Sequence, residues 1–142
     1  MTTTSIPITS TPAASTPERR LRAVLTANAF TSTVLGLIGV IAVDPVSELL
    51  GVEQVWLVRL VSVGLILFGI AVGLTARMST ERLTAGALPV SLADWSWVGA
   101  TAVVIALGTF STSGAVIMGL IGLGVADVAI LQLVFRRRTL TV

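Results

Sequence analysis

The chain has 142 residues, of which 54% are hydrophobic and only 11% charged, and its mean hydropathy is +0.99. A water-soluble domain carries about 25% charged residues, so a chain this apolar has more greasy surface than a soluble fold can hide. There is no Cys and no His, which excludes disulfides, thiolate metal sites and the commonest general base. The net charge is +2, from nine Arg and no Lys against seven acidic residues. That basic excess is too small to point to nucleic acid, and all-Arg usage points to a GC-rich bacterial source.

Residues 1–18 begin with a Thr-, Ser- and Pro-rich stretch that has no apolar periodicity. They predict a disordered tail, without the basic start and apolar run of a secretory signal. Arg19, Arg20 and Arg22 then lead into a first apolar span at residues 23–43. Within it Asn28, Ser32, Gly36 and Gly39 fall inside about 80° of one another on a helix, one small and polar stripe on a greasy rod.

Asp44, Pro45 and Gly51 bracket a short helix of their own. Asp44 suits the N-cap, Pro45 the first turn and Gly51 the C-terminal cap. Too short to span, it is expected to lie along the membrane surface. The second span is residues 54–76, with Trp56 at its start and the pair Gly69 and Gly73 spaced as GxxxG. Arg59 shares a face with Ser62 and these glycines. Its long side chain predicts an outward reach to Asp44, Glu48 or Glu53; an anion or headgroup site is the functional alternative.

Residues 77–91 read as a polar loop and 92–110 as the third span, with Asp94, Trp95 and Trp97 in its first turn. Asp94 there reads as a shallow cap and dipole partner. A tight turn at 111–113 makes spans three and four antiparallel neighbours. The fourth span, 114–135, holds one charge, Asp127, and ends on Arg136, Arg137 and Arg138. Twenty-two helical residues are about 33 Å long, enough to cross a hydrocarbon core of about 30 Å. Gly119 and Gly122 belong to its stripe of small residues, read as a packing face, and Asp127 lies about 120° round from that stripe.

The arginines fix an expected orientation. Eight fall on the side of the two termini and the 77–91 loop, and none in the 44–53 or 111–113 connections. Both termini are expected in the cytoplasm of a bacterial inner-membrane protein. Asp127 then lies near mid-membrane, where an ionisable group costs about 2.5–3.5 kcal/mol and needs a reason. It reads either as a hydrogen-bonded tie to Asn28 or Ser32, or as a proton- or ion-handling carboxyl.

The stretches RRLRAVLTANAFTSTVLGLIGVIA, DPVSELLGV, LVRLVSVGLILFGIAVGLTAR and ADWSWVGA together resemble the small four-helix integral membrane proteins common in actinobacteria and other bacteria. The resemblance covers residues 19–138, and it implies a four-span bundle without bringing an activity. Small multidrug exporters differ, because they carry a Glu in the middle of helix one where this chain has Asn28. Dual-topology fluoride channels differ in avoiding the arginine bias found here.

The expectation is an all-α bundle of four transmembrane helices with a short interfacial helix between spans one and two. A non-catalytic accessory subunit or homo-oligomeric structural protein is the first functional reading, with the bilayer, further copies or a larger membrane complex as partners. No cofactor, catalytic residue or metal site is expected. A small proton- or ion-coupled channel or transporter using Asp127 is the alternative.

Overall fold

The computed structural model describes residues 15–141, and these are helical almost throughout. The order is α1 (Thr16–Ile41), α2 (Val43–Leu50), α3 (Val55–Ala76), α4 (Thr80–Ala106) and α5 (Thr112–Leu140). Four of these helices are long and apolar enough to cross a membrane; α2 is the short one between the first two. The all-α, four-span fold expected from the sequence is therefore present. Most of the Thr- and Ser-rich tail reading falls on residues 1–14, outside the described residues.

Local sequence explains where each helix begins and stops. The α1 start is the Ser15-Thr16-Pro17-Glu18 run: the Ser15 hydroxyl accepts from the Glu18 N–H at 3.4 Å, and proline stands in the first turn. The α2 helix ends on Gly51 with φ 72°, a left-handed cap that glycine takes without strain. Asp44 is not its cap: the N-cap position falls on Ala42, with no side-chain bond, and Asp44 sits in the first turn near the helix dipole's positive end. Nor does α2 lie free. Ser111 donates its N–H to the Leu50 carbonyl at 2.9 Å and its hydroxyl to the Leu49 carbonyl at 3.2 Å, tying α2 to the α4–α5 turn.

The largest departure from expectation is α4. It starts at Thr80, so most of the stretch read as a polar loop is helix. Thr80, Glu81, Arg82 and Thr84 supply the helix's polar first turns. Pro89 does not break it, although its missing N–H leaves the Ala85 carbonyl without its ordinary helical donor. The longer helix moves Asp94 from the first turn to fourteen residues, about 21 Å, beyond Thr80. Trp95 and Trp97 move with it to the middle of α4.

The helices form two pairs. α1 packs along α3 and α4 along α5; α1 also meets α5, whereas α3 and α5 do not touch. Apart from Arg59, near the start of α3, the arginines of the described residues lie at one end of the bundle, and there Arg22 and Arg136 act as staples. Arg22 of α1 donates to the Ala76 carbonyl that ends α3, at 2.7 Å, while pairing with Glu18 at 2.8 Å. Arg136 of α5 donates to the Thr84 carbonyl of α4 at 2.8 Å. Above these staples Leu21, Leu25, Ala29, Val72, Ala76, Leu83, Ala87 and Val90 make the buried core, flanked by Phe68 and Phe135.

Candidate binding site

A polar cluster sits halfway along the bundle, where α1, α4 and α5 converge. The side-chain amide of Asn28 donates to Asp94 Oδ2 at 2.8 Å, and that of Gln132 donates to the same oxygen at 3.0 Å. The Ser91 hydroxyl donates to Gln132 Oε1 at 2.8 Å, and the Ser32 hydroxyl to Asn28 Oδ1 at 3.3 Å. All five residues are buried, Gln132 completely. The cluster links the two helix pairs, because Asn28 and Ser32 come from one and the other three residues from its partner.

The helical positions follow from simple spacings. Asn28 and Ser32 are one turn apart, so both face the same neighbours. Ser91 and Asp94 are three apart on α4 and share a face in the same way. Gln132 lies three residues beyond the buried Ala129, on the side of α5 that meets α4. Each of the four polar partners therefore reaches Asp94 or its amides without leaving a helix.

No cation takes part. Among the described residues the ion pair within 4 Å is Arg22 with Glu18 at the bundle end. Asp94 is held by amide donors alone, and both donors go to Oδ2. Oδ1 receives neither. No fully buried side-chain oxygen or nitrogen among the described residues lacks a partner, so Oδ1 retains access to open space.

That space is a cavity of about 520 Å³ beside the cluster. All four long helices line it. Asn28, Ser32 and Asp94 form a polar floor, and Leu35, Phe68 and Val128 are among its apolar walls. Ala27, Thr31, Val61, Gly64, Ala93 and Gly124 line it and are also exposed, so the cavity communicates with the outside of the bundle. Gly64 and Gly124 help to make the room: nothing lies within 4 Å of where a Cβ would stand at either.

The residues singled out in the sequence separate into three groups. Asn28 and Asp94 come together in the cluster. Arg59 is exposed at the edge of the packed face of α3, and it makes no ion pair with Asp44, Glu48 or Glu53. Its expected pairing with α2 is absent, and α2 is held by Ser111. Asp127 is exposed as well, and its expected tie to Asn28 or Ser32 is replaced: Asn28 bonds to Asp94, and Ser32 bonds to Asn28.

The glycines also separate. A Cβ on Gly69 would stand 2.8 Å from the Ala29 carbonyl oxygen, so this glycine is required for the α1–α3 contact. Gly73 and Gly122 have ordinary van der Waals room, at 3.6 Å and 3.9 Å from their neighbours, and Gly119 faces open space. Gln132 and Ser91 were missed by sequence reasoning. The one available signal was that Gln132 is the only amide in the last span.

Among the described residues no group of three or more His, Cys, Asp or Glu side chains is arranged to hold a metal ion. Comparison with protein-family models, with curated proteins and with solved structures finds no match to this chain.

Proposed function

We propose that this chain is a non-catalytic multipass membrane protein that holds a small amphipathic molecule in its central cavity, with a cationic or hydrogen-bond-donating group against Asp94. One observation carries the reading: a mid-bundle carboxyl has one oxygen bonded by two amides and the other open to an apolar cavity. Small-molecule sites have this character, mostly apolar with a few convergent polar groups and a volume of about 300–1,000 Å³. The cluster offers amides, hydroxyls and one carboxyl, which suit recognition. An accessory role in a larger membrane complex is compatible with the same site.

The test is binding in lipid nanodiscs followed through Trp97, which lines the cavity. Dodecylamine is expected to bind more tightly than dodecanol, and dodecanoate least. Asp94→Asn is expected to weaken the amine by about tenfold or more, the loss of a charge-assisted hydrogen bond, and to leave the alcohol nearly unchanged. Equal affinity for amine and carboxylate would sink the reading.

A proton- or ion-coupled carrier is the second reading, favoured by the burial of Asp94 without a cation. Asp94 serves it better than Asp127, which lies outside the bundle. Proton-driven uptake in proteoliposomes, lost in Asp94→Asn, would promote it.

A further inference from the structure

Asp127 presents a problem that the cavity does not solve. It lies fifteen residues, about 22 Å, along α5 from Thr112, on a face that the described residues leave uncovered. Its neighbours on that face are Val116, Leu120, Leu123 and Ile130, between 47% and 67% exposed. Facing lipid suits those four side chains and does not suit a carboxyl. Ionisable groups inside a membrane almost always face a protein interior or a polar partner. No arginine of α5 lies nearer along the chain than Arg136, nine residues or about 13 Å away.

The spacing says what kind of partner fits. Residues 116, 120, 123, 127, 130 and 134 step by four and three alternately, the seam of a left-handed coiled coil. Membrane helices commonly pair at the crossing angle of that geometry. Gly119, which does not line the cavity, flanks the seam and has no neighbour within 4 Å of a Cβ position, so a second backbone can come close. A single polar residue within such a seam is the device that fixes register and partner number.

We propose that the outward face of α5 is the contact between two copies of this chain, arranged in parallel about a two-fold axis at Asp127. The occupant is a second copy for a chemical reason. Copies inserted with the same orientation present equal depths to one another, so Asp127 of one meets Asp127 of the other. A carboxylic acid is both donor and acceptor, and one protonated side chain satisfies the other. The contact leaves the cavity free and does not depend on its ligand.

The chain has no Cys, so single engineered thiols report without background. In native membranes Leu123→Cys is expected to cross-link into dimers on mild oxidation. Leu67→Cys, equally exposed on α3 at 63%, is expected to stay monomeric. Asp127→Arg in the Leu123→Cys background is expected to cut cross-linking by about tenfold, with helicity unchanged; Asp127→Asn, which keeps a donor and an acceptor, is expected to retain it. The purified chain in nanodiscs is expected to have the mass of two copies. A monomeric particle, or cross-linking at Leu67→Cys as strong as at Leu123→Cys, would overturn the proposal, the first pointing to a different protein as the cover of this face.

Discussion

The seam between α1 and α3 and the space between the two helix pairs lie side by side in one bundle and differ in every respect. The seam is close enough for backbone to touch backbone: a Cβ on Gly36 would stand 2.6 Å from the Ser62 carbonyl oxygen, and one on Gly69 would meet Ala29 as closely. The space between the pairs is filled by large side chains at the arginine end and by hydrogen bonds at mid-height, and beside those bonds it opens into the cavity. Lipid tails are as apolar as leucine, so burial alone gives a membrane helix little reason to prefer protein. Close approach and polar bonds must do the joining, and this bundle uses one for each contact. The closer joint is the α1–α3 seam, and the looser one is the contact that keeps a polar clasp and a cavity.

Three substitutions sharpen or break that contrast. Gly36→Ala should have the largest effect. The added methyl meets a carbonyl oxygen of the facing backbone, so α1 and α3 must separate, at a cost of about 3 kcal/mol. Unfolding in detergent titrations measures it, and an unchanged midpoint would show that the seam is looser than described. Leu25→Ala comes next. Leu25 is fully buried where the two pairs meet, and its truncation should cost about 2 kcal/mol, the low end of the range for Leu→Ala. The low end applies because in lipid the transfer part of the penalty falls away and the packing part stays. Gly64→Leu should have the smallest effect on stability, within about 0.5 kcal/mol, because nothing stands where its Cβ would go. The same leucine narrows the cavity, so it should weaken dodecylamine binding while the unfolding midpoint holds. A Gly64→Leu protein as unstable as Gly36→Ala would mean that the two regions do not differ.

The sequence made the spans legible and left their faces illegible, for one reason. Length and hydropathy locate a spanning helix because the bilayer demands both. The same demand makes a helix apolar all round, so the periodicity that tells inside from outside in a soluble protein is lost. That is why the sequence offers Asp127 a tie to Asn28 or Ser32 and marks the small residues of α5 only as a packing face, when Gly119 and Asp127 in fact face outward. Asn28 and Asp94 were both noticed, and their pairing was hidden by a boundary error. With Thr80, Glu81, Arg82 and Pro89 read as a loop, Asp94 fell at a helix end, and only the longer α4 carries it to the depth of Asn28. Gln132 carried no signal beyond its own polarity.

The two arginine staples also work as a levelling device. Each runs from a side chain on one helix to a backbone carbonyl on its neighbour, so it measures vertical offset, which smooth apolar surfaces cannot do. A slip of one residue shifts a helix by about 1.5 Å, which would stretch and tilt a 2.7 Å or 2.8 Å bond away from its best geometry. Arg22 stands six residues from Asn28 on α1, and Arg136 stands four from Gln132 on α5. Those short rigid distances mean that the height of each amide is set from the stapled end of the bundle. The two amides arrive at one carboxyl oxygen because arginines at the rim have already aligned the rods that carry them.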